Sequence, residues 1–179
     1  MFLKMRYIAM MTIFLLAASF SCKEPFNEKI AAKDNSLSVK WENISAVFKN
    51  RDNIKKPVLI FFYTEWCTFC KKMDRDIFSD DKISQYMNEN FISIRVNPEK
   101  ENDKIKVMEK DLTPYELMMH IGAQGFPTTL FLNEKTEPLT AIPGYIENKT
   151  FLLILKYLKE ELYNKKISLD DYIKNSESR

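Results

Sequence analysis

The sequence predicts an α/β domain in which a central mixed β-sheet is flanked by helices on both faces. Three observations lead there. The run Val58-Leu59-Ile60-Phe61-Phe62-Tyr63 is apolar throughout with no alternation, as in a strand covered on both sides. Around it, segments of helical and strand character alternate, the order that builds a βαβ unit. Further on, two strands adjoin as a hairpin ahead of a last amphipathic helix, which makes the sheet mixed.

Each element has its own signal. Trp41, Ile44, Val47 and Phe48 recur at helical spacing, so residues 41–50 are expected to form the first helix. Lys55-Lys56-Pro57 separates it from the central strand, 58–63. A polar helix is expected over 67–78, and Ser79-Asp80-Asp81 opens another with Ile83, Tyr86 and Met87 on one side. Residues 91–96 read as the next strand. The chain is then highly charged until Thr113-Pro114-Tyr115-Glu116. That run combines a capping hydroxyl, a proline at the first helical position and a glutamate at the third, and starts a short helix to His120. Residues 126–132 form a strand that pairs through 133–138 with 139–145. Phe151, Leu152, Leu155, Leu158 and Leu162 mark a closing helix over 151–163. The tail, 164–179, reads as an exposed extension with one amphipathic turn around Ile167, Leu169, Tyr172 and Ile173.

The chemistry is concentrated where the central strand meets the polar helix, in Trp66-Cys67-Thr68-Phe69-Cys70. A strand feeding a helix puts Cys67 at the helix N-terminus, where unpaired N–H groups and the positive dipole end favour thiolate over thiol. Cys67 is therefore the expected nucleophile. Cys70 lies one turn on, placed to attack a mixed disulfide at Cys67, and is the expected resolving thiol. Half of a zinc site has the same spacing. A structural zinc site needs two more ligands, and the remaining candidates are Cys22, in a separate segment, and the single histidine, His120. No metal and no cofactor are expected.

With 179 residues, 45% of them hydrophobic, the chain suits one domain with terminal extensions. Basic and acidic residues nearly balance, 27 against 25, and are spread through the chain, which argues against a nucleic-acid partner. Residues 1–22 differ from the rest. Lys4 and Arg6 precede an apolar run from Tyr7 to Phe20 that ends at Ser21-Cys22, the pattern of a secretory signal. A run of that length is short for a membrane span, which takes roughly 20 residues. Small residues before a cysteine resemble the cleavage and lipidation site of bacterial lipoproteins, which makes Cys22 the expected lipidated residue. Ser19 stands where such sites usually have leucine. An ordinary signal peptide cut within 17–21 would leave Cys22 as a stray thiol. Residues 23–38 would form a flexible tether.

Residues 39–163 resemble the thioredoxin superfamily. The resemblance rests on the Trp66 to Cys70 motif after the first core strand, on Phe126-Pro127-Thr128 opening a later strand, and on Gly144 after the hairpin. It implies a thioredoxin-like fold with a cis proline at Pro127 facing the two cysteines, so that the Phe126 backbone can pair with a substrate strand. Trp66 would line the surface where substrate docks; packing into the scaffold is an equal and compatible role. Lys56-Pro57-Val58, Lys71-Lys72-Met73 and Phe78-Ser79-Asp80 resemble exported members, bacterial lipoproteins and periplasmic reductases. Two departures stand out. The superfamily's buried aspartate, which assists proton transfer, is replaced by Phe61, so proton handling must differ; Glu65 is better read as a solvated charge than as a substitute base. Thr68-Phe69 between the cysteines lacks the histidine of strong oxidases, although Lys71 and Lys72 can favour the thiolate modestly.

The resemblance implies an exported thiol-disulfide oxidoreductase of the bacterial periplasm, tethered to the membrane through Cys22. It would exchange disulfides with envelope proteins, as reductase rather than oxidase, and be re-reduced by a membrane or periplasmic electron donor. The alternative is a binding module of the same fold that holds a client peptide or copper without turnover, with His120 as the one available histidine.

Overall fold

The computed structural model describes residues 38–177. The apolar leader, Cys22 and the tether up to residue 37 lie outside the described residues. Strand β1 (Trp41–Glu42) and helix α1 (Ile44–Lys49) precede β2 (Val58–Phe62), which is buried along its whole length, as its unbroken apolar run requires. β2 runs parallel to β3 (Ile92–Val96) on one side and antiparallel to β6 (Thr128–Leu132) on the other. β1 continues the sheet beyond β3, and β7 (Pro138–Pro143) continues it beyond β6, giving the order β1-β3-β2-β6-β7. This is the mixed sheet expected from the sequence.

Alternate residues of β2 face opposite sides. Leu59 and Phe61 join Phe131 in a buried cluster with side chains of α2 (Thr68–Met73), α3 (Asp81–Asn90) and α5 (Asn148–Lys159). Val58, Ile60 and Phe62 pack on the other face with Ile44 and Phe48 of α1 and Leu117 and Met118 of α4 (Pro114–His120). Each such side chain stabilises the fold by about 2 kcal/mol when removed from water. The helix before His120 forms as its sequence demands. Thr113 Oγ1 accepts from the Glu116 N–H at 3.2 Å, and the Glu116 carboxylate accepts from the Thr113 N–H at 2.8 Å.

Four expectations need correcting. The first helix begins at Ile44, capped by Asn43, whose side chain accepts from the Ala46 N–H. Trp41 belongs to the sheet edge and packs edge-on against Phe78, on the face opposite Ile44 and Phe48. Its helical spacing from them is therefore coincidental. Second, the helix after Cys67 is α-helical only to Met73, and a π-helical turn, Asp74–Phe78, continues it. Third, the charged segment holds a small hairpin, β4 (Ile105–Val107) and β5 (Lys110–Leu112), that pins Ile105 and Val107 against the α1 side of the core. Its turn places Met108 and Glu109 at φ of 51° and 57°. Non-glycine residues rarely adopt this conformation, so the usual Asn-Gly turn signal is missing.

The fourth correction concerns the tail. Most of its described residues are exposed, as expected, but one face folds back on α5. After the left-handed Glu161 and a 3-10 turn, Leu162–Lys165, helix α6 (Leu169–Glu177) brings Tyr172 to 5.6 Å from the Tyr157 ring. Tyr157 Oη donates to the Ile167 carbonyl at 2.7 Å. Leu169, Tyr172 and Ile173, read as one amphipathic face, are the residues that pack inward, whereas Ile167 is exposed.

Candidate active site

β2 ends inside the sheet, and the chain turns through Tyr63 to Trp66 to reach α2. Cys67 is the N-cap of that helix: its backbone is extended, and its Sγ accepts the Cys70 N–H at 3.0 Å. One N–H of the helix start and the positive end of its dipole thus face a single sulfur. Once the pair is reduced, the Cys70 N–H is the donor that stabilises negative charge on Cys67 Sγ. Cys67 and Cys70 are joined as a disulfide with Cα atoms 5.3 Å apart. Both are buried, Cys70 at 1% exposure and Cys67 at 4%, whereas Trp66 and Phe69 beside them are 66% and 58% exposed. The disulfide therefore sits in the floor of an aromatic surface.

The Phe126–Pro127 peptide bond is cis. The loop before β6 is held from both sides: Thr128 Oγ1 donates to the Gly125 carbonyl, and the Gly144 N–H donates to the Pro127 carbonyl, each at 2.7 Å. Gly144 has φ of +85°, a left-handed conformation that favours glycine at this point. The Phe126 ring stands edge-on to the Trp66 indole at 5.8 Å. Trp66, Phe126 and Pro127 are thereby brought to the disulfide's side of the sheet end. Next to them, Gly122, Gly125, Phe126, Pro127, Ala141 and Gly144 line a groove.

Two acids of the flanking turns are fixed by neighbours. Trp66 Nε1 donates to both carboxylate oxygens of Glu99, at 3.1 and 3.3 Å, a partner 33 residues away that nothing local in the sequence reveals. Glu65 pairs with Lys100, whose ammonium holds the carboxyl below its usual range through a hydrogen bond and its charge. An exposed acid pushed in that direction is a poor base, which agrees with reading Glu65 as a solvated charge. Lys72 Nζ lies 3.9 Å over the Tyr145 ring, and Lys71 is exposed. His120 is an exposed residue at the end of α4, with its Nε2 at 3.4 Å from Lys110 Nζ. Among the described residues no three His, Cys, Asp or Glu side chains gather as a metal site.

Under α2, the position of the superfamily's buried acid is held by Phe61, which is fully buried between Arg95 and Thr129 in the sheet register. The acid of this neighbourhood comes from the helix instead. Arg95 Nη1 and Nη2 donate to the two oxygens of Asp74 at 2.7 and 2.8 Å. Sequence reasoning missed this pair. The available signal was an arginine in the largely apolar strand 91–96, at a position whose neighbours in register face the helices.

A family model describing a thioredoxin-like domain matches residues 46–159. The chain belongs to this family. Among curated relatives, the thiol:disulfide interchange protein DsbD of Salmonella typhimurium is 28% identical over 98 residues, 54% of this chain. DsbD of Actinobacillus pleuropneumoniae is 31% identical over 108 residues, 58% of this chain. In both cases the match spans only 16% of the relative's own length. A solved thioredoxin-fold protein from Helicobacter pylori superposes with a TM-score of 0.59 at 19% identity, covering 75% of this chain and 94% of its own. That likeness is one of fold. A disulfide-bonded Cys-x-x-Cys pair in a thioredoxin-like domain with such relatives supports thiol-disulfide oxidoreductase activity here.

Proposed function

We propose that this thioredoxin-like domain is an exported thiol-disulfide oxidoreductase that works as a reductase on cysteines of other envelope proteins. The observation that carries the reading is the Cys67–Cys70 disulfide at the start of α2, with the Cys70 N–H on Cys67 Sγ and the cis Pro127 loop alongside. The relatives named thiol:disulfide interchange protein support the same chemistry, although this chain spans a small part of them.

Starting from the dithiol, the Cys67 thiolate attacks one sulfur of a client disulfide. A Cys67–client bond forms as the client S–S bond breaks, and the departing client thiolate takes a proton. Cys70 then loses its proton and attacks Cys67 Sγ, closing the Cys67–Cys70 disulfide and releasing the second client thiol. Two electrons have passed to the client, and a dithiol donor in the envelope restores the pair by the reverse exchange. Trp66 and Phe126 receive the client's apolar side chains, and the Pro127 loop aligns its backbone. The apolar leader exports the chain, Cys22 carries a lipid, and residues 23–38 tether domain 39–163 to the periplasmic face of a bacterial membrane. Among the described residues no helix is long and apolar enough to cross a membrane.

The role assignment is tested by mixing reduced variants with a disulfide-bonded client and resolving products on non-reducing gels. Cys67→Ser is expected to lose reduction altogether, and Cys70→Ser to accumulate a Cys67–client mixed disulfide that dithiothreitol releases. Undiminished turnover by Cys67→Ser would overturn the mechanism.

A further inference from the structure

Cys67, Cys70 and Asp74 stand at helical positions i, i+3 and i+7, which places them along one stripe of the same helix. The Asp74 N–H donates to the Cys70 carbonyl, so the stripe is continuous through the last turn of α2. Four residues of rise put Asp74 roughly 6 Å along the axis from Cys70. That separation is inside the screening length of about 8 Å at physiological salt. A carboxylate so placed opposes negative charge on the cysteine sulfurs.

Arg95 meets it from the sheet. β3 pairs Arg95 with Phe61, and Phe61 shares a buried cluster with Cys67 and Cys70. The guanidinium lies 4.1 Å from the Tyr63 ring centre and 5.9 Å from that of Phe61, whose rings are parallel. Its fork closes on both Asp74 oxygens, with the two side chains 28% and 32% exposed. Bidentate geometry and stacking fix the charge in one place, as a lysine could not. Of the other nearby charges, Arg75 pairs with Asp76, Glu65 with Lys100 and Lys72 lies over Tyr145, while Lys71 is exposed.

We propose that Asp74 and Arg95 are a charge-balanced positioning pair for the dithiol. Arg95 cancels the Asp74 charge felt at the sulfurs and ties the junction of α2 and the π-helical turn to the sheet. Through that balance the pair sets how readily the disulfide is reduced. The proposal rests on the exchange reading above and deepens it.

The test equilibrates the domain with glutathione and compares wild type with Asp74→Asn, Arg95→Met, Arg95→Lys and the double variant Asp74→Asn/Arg95→Met, after circular dichroism has shown each to be folded. Arg95→Met leaves an uncompensated carboxylate, so the dithiol is disfavoured and the disulfide becomes harder to reduce. Asp74→Asn leaves an uncompensated guanidinium, with the opposite result. Each shift is expected at roughly three- to tenfold in the equilibrium constant, about 15–30 mV for this two-electron couple. The double variant is expected to return to within about twofold of wild type, and Arg95→Lys, which keeps the charge but loses the fork, to fall between wild type and Arg95→Met. Alkylation of Cys67 at pH 6 should slow in Arg95→Met and quicken in Asp74→Asn. Shifts of the same sign in both single variants, or none, would overturn the pair's role while leaving the exchange reading intact. Absence of a reversible couple in wild type would instead remove the exchange reading.

Discussion

At the scale of single residues, helix ends do much of the chemistry in this domain. The Cys70 N–H on Cys67 Sγ is one instance, and Asp80 shows the same physics without a reaction attached. As the N-cap of α3, Asp80 accepts the N–H groups of Lys82 at 2.9 Å and Ile83 at 3.0 Å. Asn148 Nδ2 donates to its other oxygen at 3.1 Å. The Ile83 N–H is the main reason that the Asp80 carboxyl titrates below the usual aspartate range, with burial acting against it. Asp80→Ala is expected to lower stability by about 1 kcal/mol in urea unfolding at pH 7. Because the folded-state value is depressed, this contribution is complete above the ordinary aspartate range and is lost as pH falls through the folded value. The gap between wild type and Asp80→Ala should therefore close in strong acid. A gap that does not narrow at all as the pH falls into strong acid would show that the carboxylate's charge plays no part.

At the scale of elements, the contacts of α6 explain why the chain continues past α5. Its inward face covers Tyr157, which is 6% exposed, and Tyr157 Oη holds the connecting turn. Tyr172→Ala should cost about 1–2 kcal/mol in urea unfolding, through lost aromatic contact and burial. No change in stability would mean that α6 only rests on α5. The sequence revealed α6's inward residues but not their burial, because an amphipathic turn looks the same whether or not a neighbour covers it. β2 was legible because burial on both faces demands an apolar residue at every position. The β4–β5 hairpin was not, since its strands have three residues each and its turn uses Met108 and Glu109 in place of glycine. At the site, the cysteines and the Pro127 loop could be read from short motifs. The Asp74–Arg95 and Trp66–Glu99 pairs could not, because each joins residues more than 20 apart through the fold.

At the scale of the whole molecule, the sheet order β1-β3-β2-β6-β7 is what gives the domain a single reactive end. β2 and β6 are antiparallel neighbours, so the C-terminal end of β2, from which the chain passes to Cys67, lies beside the start of β6, where Pro127 stands. One buried cluster joins Leu59, Phe61, Cys67, Cys70 and Phe131, so the dithiol is built on the packed core of the fold. The most direct measurement is the reduction potential of Cys67/Cys70, obtained by equilibrating the domain against glutathione and dithiothreitol buffers. A reversible two-electron couple near about −270 mV is expected of a reductase without an activating histidine between its cysteines. A value near about −120 mV would contradict the proposed direction by making the domain an oxidant, and the lack of any reversible couple would contradict thiol-disulfide exchange itself.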